Sequence, residues 1–203
     1  MSRPIKIAVL ASGRGSNLQS IIAAIEERTL NASIVLVVSD KQDAFALNRA
    51  GTNKIPNLFL NPKKYSDREE YDHELAQKIR QQGADMVILA GWMRILSQKF
   101  LENFPDKVIN IHPSLLPAFP GQNAQKQAFE YGVKYTGCTV HFVDSGMDTG
   151  PIIAQQLIPI LADDTLEGLT DRILVEEHLL YPRVIQFFSE ERIVKEGRKV
   201  RIK

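Results

Sequence analysis

Ile5-Lys6-Ile7-Ala8-Val9-Leu10-Ala11-Ser12-Gly13-Arg14-Gly15-Ser16-Asn17-Leu18-Gln19-Ser20-Ile21-Ile22-Ala23-Ala24-Ile25 is the stretch that decides the fold. An apolar run over 5–10 passes through a glycine turn into a segment where Leu18, Ile21, Ile22 and Ile25 recur at helical spacing. Gly13 and Gly15 permit tight, positive-φ backbone and leave N–H groups free to face an anion. The helix N-terminus that follows adds its partial positive charge, so Gly15, Ser16 and Asn17 form a candidate phosphate cradle. A third glycine is missing, with Leu18 in its place, and no Gly-Lys-Ser/Thr follows, so a single phosphate monoester fits better than a dinucleotide or a nucleoside triphosphate. On this segment alone, a plain strand–helix turn is an equally good reading.

The same grammar continues outward. Residues 34–38, 86–90 and 108–111 are further apolar runs, and 67–82 is helical. Buried strands separated by amphipathic helices predict an α/β fold, a mostly parallel twisted sheet with helices on both faces. Right-handed crossovers place the C-terminal ends of such strands on one edge, where open α/β sheets bind ligands. Residues 139–143 and 152–158 read as strands around a turn-rich loop, 144–150, and 166–188 reads as one long helix. A short C-terminal hairpin, 192–194 with 199–202, is expected around Glu196-Gly197.

With 203 residues, 44% of them hydrophobic, one substantial core is within reach and a single domain is expected. The 25 basic and 24 acidic residues nearly cancel, which supports neither a nucleic-acid-binding nor a membrane-surface protein. Cys138 is the only cysteine, so a disulfide framework is excluded and a reducing, cytoplasmic setting is expected. It reads as a small buried apolar residue. Residues 1–10 lack the pattern of a signal peptide, and no run of 18 apolar residues occurs.

Chemistry concentrates later in the chain. Val108-Ile109-Asn110-Ile111-His112 is a strand end on which Asn110 and His112 share a face. An amide N–H beside an imidazole suits oxyanion stabilisation and proton movement in acyl transfer, and Asp148 from a second loop can hold the imidazole. Taken alone, Asn-x-His at a strand end is more often a satisfied polar pair. Pro113, Pro117, Pro120 and Gly121 follow at once, giving the rigid irregular loop on which sites are commonly built. Gly91-Trp92-Met93-Arg94-Ile95-Leu96, after another strand, can hold a flat heterocycle, although Met93, Ile95 and Leu96 taken singly read as core residues. Arg68 is a candidate partner for a ligand carboxylate, or a solvated helix arginine. Glu177-His178 can contact ligand hydroxyls, or form a solvated helix face with His178 packed.

Ser12-Gly13-x-Gly15-Ser16-Asn17-Leu18, Ala90-Gly91-x-Met93-Arg94-Ile95-Leu96, Asn110-Ile111-His112-Pro113-Ser114-Leu115-Leu116-Pro117, Thr136-Gly137-Cys138-Thr139-Val140-His141-Phe142-Val143, Asp148-x-Gly150-Pro151 and Glu177-His178 occur in that order. Together they resemble the phosphoribosylglycinamide formyltransferases, folate-dependent enzymes of purine biosynthesis, over residues 5–202. The resemblance implies one formyltransferase domain over 1–203, with a phosphate-binding half to about residue 100 and a folate and catalytic half beyond. It implies formyl transfer from 10-formyltetrahydrofolate to the amine of phosphoribosylglycinamide. Gly15, Ser16, Asn17 and Glu177 would bind the ribonucleotide. Arg68, Met93, Arg94, Ile95, Leu96, Asn110 and the loop Asp144, Ser145, Gly146, Met147, Asp148 would bind the folate. Catalysis would fall to Asn110, His112 and Asp148, with no metal, on small-molecule substrates, in a monomer or homodimer. One departure from the family pattern is Asn123, where many members carry histidine. The rivals are methionyl-tRNA formyltransferase and formyltetrahydrofolate hydrolase, both expected to carry an extra domain, and a non-catalytic folate- or nucleotide-binding module.

Overall fold

The opening apolar run forms β1 (Ile5–Leu10), and the glycine turn carries it into α1 (Ser16–Glu26). Then come β2 (Ala32–Ser39), α2 (Phe45–Thr52), β3 (Asn57–Phe59), a single 3-10 turn at Pro62–Lys64, α3 (Arg68–Gln81) and β4 (Met86–Leu89). The second half holds α4 (Gln98–Glu102), β5 (Val108–His112), α5 (Ala124–Tyr131), β6 (Tyr135–Phe142), β7 (Ile152–Pro159), α6 (Leu166–Ser189), β8 (Ile193–Glu196) and β9 (Lys199–Ile202). This computed structural model describes residues 3–203; the first two residues of the expected 1–203 domain lie outside it.

Seven strands form one sheet in the order β3-β2-β1-β4-β5-β6-β7. β1 to β5 run parallel, while β6 is antiparallel to β5 and β7 to β6. Strand alternation sends β1 side chains to two cores. Ile7 and Val9 pack with Leu18 and Ile21 of α1 and Ile173, Tyr181 and Val184 of α6. Ala8 and Leu10 pack with Tyr71, Leu75 and Ile79 of α3 and Phe100 of α4. Both faces are covered, so the central strands are apolar throughout, as the sequence predicts.

The chain passes from β1 outward to β2 and β3, then returns to place β4 on the other side of β1. That reversal leaves a crevice at the C-terminal ends of β1 and β4, where two following segments diverge. The expected 67–82 helix is α3, with Asp67 as N-cap accepting the Glu70 N–H at 2.9 Å and Gln82 as C-cap. α6 runs unbroken through Pro182, whose missing N–H removes the partner of the His178 carbonyl. Tyr181 of α6 directs its hydroxyl to the carbonyls of Leu89 at 2.9 Å and Ile109 at 3.0 Å, tying the helix to the ends of β4 and β5. The C-terminal hairpin forms as β8–β9. α2, β3, α4 and α5 carry no legible periodic signal, since each spans eight residues or fewer.

Candidate active site

A cavity of about 820 Å³ opens along this edge. Its wall is made by residues 13–17 after β1, 89–96 around the end of β4, 110–112 of β5 with Pro113 after it, residues 121–123 and Gln125, His141 and Val143, and the loop residues Asp144, Gly146, Met147 and Asp148. Leu174 and Glu177 of α6 close one end. Of the expected site residues, Arg68 and Ser145 do not reach this wall. Arg68 opens α3 on the surface, and Ser145 is exposed. Met93 and Ile95 correct the core reading: they are 61% and 43% exposed and border the cavity, while Leu96 is buried at 3%.

His112 is buried, with Nδ1 3.3 Å from Asp148 Oδ2 and Nε2 2.8 Å from the Phe119 carbonyl oxygen. Both ring nitrogens therefore face acceptors, and only the imidazolium form can donate to both. The Ser114 hydroxyl donates to Ala118 O at 2.6 Å, holding the Pro-rich loop that presents Phe119. Asp148 Oδ2 also accepts the Gly121 N–H at 2.8 Å, so the carboxylate joins two loops. Asp148 has φ 55, a left-handed conformation that aspartate tolerates better than most residues. Gly150 sits so close to the strand end that a Cβ there would lie 1.8 Å from the Phe142 carbonyl, which fixes the path of the 144–150 loop.

His141 is a site residue the sequence reading did not single out. Antiparallel pairing sets it opposite Asn110. Its Nδ1–H donates to the Phe142 carbonyl at 2.8 Å, leaving Nε2 to accept from Asn110 Nδ2 at 3.3 Å. Burial lowers the His141 pKa, overriding the Phe142 carbonyl and the Asp148 charge, which raise it. The ring is therefore neutral near pH 7 and an acceptor at Nε2. Asp148 Oδ1 stands 3.6 Å away, too far for a hydrogen bond. This arrangement fixes which end of the Asn110 amide is nitrogen and leaves its second N–H for the cavity. The sequence signal was a lone histidine in an apolar strand, which more often marks a satisfied core histidine.

At the other end, Gly15 caps α1 with φ 67, and no side chain caps this helix. Its Cα hydrogens face Ala46 of α2, where an added Cβ would stand 2.8 Å from the Ala46 Cβ. Glu177, read from sequence as a possible solvated position, is buried and accepts Asn17 Nδ2 at 2.8 Å. Burial pushes its carboxyl up to about 7, against the lowering effect of the Asn17 bond. Asn17 Oδ1 is buried with no hydrogen-bond partner, an unsatisfied acceptor at the α1 end of the cavity. His178, its neighbour, has a lowered pKa through burial and the nearby Arg49 charge. Cys138 is buried, its thiol pushed up to about 12 by burial, as expected of a small apolar residue. Among the described residues, no group of three histidine, cysteine or carboxylate side chains is placed to hold a metal ion. Among the described residues, no helix is long and apolar enough to cross a membrane.

A buried imidazole–carboxylate pair beside an oriented amide, in one cavity with an uncapped helix N-terminus, can stabilise an oxyanion, move a proton and receive an anion at the helix end. The family described as formyl transferase matches residues 5–185. The Bacillus subtilis phosphoribosylglycinamide formyltransferase is 46% identical over 181 residues, 89% of this chain and 93% of the relative. The trifunctional purine biosynthetic protein adenosine-3 of Drosophila melanogaster is 47% identical over 182 residues, but the chain spans only 14% of its length. The crystal structure of glycinamide ribonucleotide transformylase 1 from Symbiobacterium toebii superimposes with a TM-score of 0.97 at 48% identity, covering 100% of this chain and 95% of that one. A formyltetrahydrofolate deformylase from Pseudomonas syringae shares the fold with a TM-score of 0.89 at 28% identity, covering 98% of this chain and 65% of that one. The chain belongs to the formyl transferase family, on its phosphoribosylglycinamide formyltransferase branch.

Proposed function

We propose that the chain transfers a formyl group from 10-formyltetrahydrofolate to the amine of phosphoribosylglycinamide, a cytoplasmic step of purine biosynthesis. The observation that carries this reading is one cavity holding both the helix-capping glycine loop and the Asn110, His112 and Asp148 set. The ribose phosphate would lie on the N–H groups of Gly15, Ser16 and Asn17, where no side chain competes for the helix N-terminus. The Glu177 carboxyl would meet the ribose hydroxyls. The exposed Met93, Ile95 and Met147 side chains suit the flat folate ring, with Arg94, Leu96, Asp144 and Gly146 around it. Arg68 and Ser145, outside the cavity wall, would meet only the folate's outer parts. The two halves, divided near residue 100, act as one domain on small molecules.

In the reaction the substrate amine nitrogen bonds to the formyl carbon, and the carbonyl π pair moves onto oxygen. Asn110 offers its free N–H to that oxygen, and His112 as imidazolium offers a second once its ring exchanges an acceptor for the oxyanion. Asp148 keeps the imidazolium paired and relays the amine proton toward N10 of the folate. The carbon–N10 bond then breaks with its electron pair on nitrogen, so atoms and charge balance without a covalent enzyme intermediate.

Mixing the protein with 10-formyltetrahydrofolate, with and without phosphoribosylglycinamide, tests this directly by the spectroscopic change on deformylation. Loss that needs the ribonucleotide supports the transferase. A second reading, hydrolysis of the formyl donor, draws on the deformylase fold likeness, and loss without the ribonucleotide would favour it.

A further inference from the structure

Ser12 lies behind the cavity wall, immediately before Gly13, the first wall residue after β1. It is only 5% exposed. Its backbone N–H donates to the Gly91 carbonyl at 3.0 Å, and its hydroxyl oxygen accepts the Met93 N–H at 3.0 Å. One residue thus clasps the turn after β1 to the turn after β4, using its backbone in one direction and its side chain in the other.

Each turn is otherwise anchored to a different neighbour. The phosphate loop rests on α2, with the Ala46 N–H donating to the Gly13 carbonyl at 3.1 Å and Arg49 Nε to the Arg14 carbonyl at 2.9 Å. The other turn leaves β4 through Gly91 at φ 75, and its far end is pinned where the Ser97 N–H meets the buried Asp72 carboxylate at 2.5 Å. Among the described residues, Ser12 supplies the hydrogen bonds that join these two turns directly. Its hydroxyl holds the Met93 peptide at the start of the segment proposed to carry the folate ring.

We propose that Ser12 is a positioning residue that couples the two substrates, an inference that rests on the function proposed above. Phosphate on the Gly15, Ser16 and Asn17 amides stiffens the loop that begins at Ser12. Through its hydroxyl the Met93 peptide is held in the orientation that receives the folate. Because coupling between two binding sites is reciprocal, folate strengthens ribonucleotide binding by the same factor.

The test is calorimetric titration of 5,8-dideazafolate, which cannot transfer a formyl group, with and without phosphoribosylglycinamide, on the wild-type chain and on Ser12→Ala. In the wild type the ribonucleotide should tighten the folate analogue by about fivefold, and in Ser12→Ala the ratio should fall to about one. The Met93 amide resonance supplies a second readout, since it should move on adding the ribonucleotide alone to the wild type and stay still in Ser12→Ala. Equal coupling in both proteins, no coupling in the wild type, or an unmoved wild-type Met93 resonance overturns the inference. A wild-type chain that binds neither ligand overturns the functional reading and this inference with it.

Discussion

Asp148 Oδ2 lies 3.3 Å from His112 Nδ1 while the same oxygen accepts the Gly121 N–H at 2.8 Å. The carboxylate is therefore held from outside the pair, and the imidazole takes its orientation from a fixed charge. His112→Ala and Asp148→Asn should each lower kcat by about 10²- to 10⁴-fold, the usual scale for losing a positioned acid or base. Ribonucleotide affinity in His112→Ala should stay within about tenfold, or about 1.4 kcal/mol, since the phosphate site proposed at Gly15, Ser16 and Asn17 is untouched. Steady-state kinetics with separate binding titrations decide it, and full turnover in His112→Ala would remove the assigned role.

The Asn110–His141 pair makes a distinct prediction. His141→Phe keeps the ring volume but deletes the acceptor that orients the amide, so kcat should fall while folate affinity changes little. The loss should lie below that of Asn110→Ala, because the second N–H survives in a freer amide. A double-mutant cycle in kcat measures the link, and strict additivity of the two substitutions would break it.

Glu177 ties stability to pH. Its buried carboxyl, pushed from 4.5 to about 7, keeps a proton in the folded chain that the unfolded chain gives up at lower pH. This contribution is complete below the unfolded value and is lost as pH rises from about 4.5 through about 7, amounting to about 3 kcal/mol at most. His141 has the opposite sign: its lowered pKa means stability is lost as pH falls below 6.5. Glu177→Gln should remove only the first effect. Urea denaturation of both proteins at pH 5 and pH 7.5 isolates it, because the His141 contribution cancels in the difference; parallel pH dependences would refute the burial argument.

Gly15→Ala should damage both the fold and the proposed phosphate site. The left-handed backbone at φ 67 alone costs an alanine about 1–2 kcal/mol. The new Cβ would also stand 2.8 Å from the Ala46 Cβ, so α2 or the loop must shift. Ribonucleotide affinity should drop by more than tenfold, readable by calorimetry beside an unchanged folate affinity in the absence of ribonucleotide.

Tyr181→Phe removes the hydroxyl that serves the Leu89 and Ile109 carbonyls in a fully buried position. Losing that donor should cost about 1–3 kcal/mol, seen as a lower denaturation midpoint with an unchanged slope.

Much of this molecule is readable locally. The run at 5–10, the glycines before α1, the apolar strands at 86–90 and 108–111, and the helical periods at 67–82 and 166–188 each report their own geometry, because period and turn chemistry are properties of neighbours in sequence. The Asn110 and His112 alternation likewise placed both on one face before any fold was known. Tertiary structure decided the rest. Antiparallel register between β5 and β6 brings His141, 31 residues away, against Asn110. The covering of α6 by the sheet turns Glu177 from a plausible surface carboxylate into a buried one, bonded to Asn17 across 160 residues. Met93 and Ile95 look like core residues in the sequence, yet the divergence of the chain beyond β4 leaves them bordering an open cavity. Local pattern tells which face a side chain takes, and only the packing of distant elements tells what that face meets.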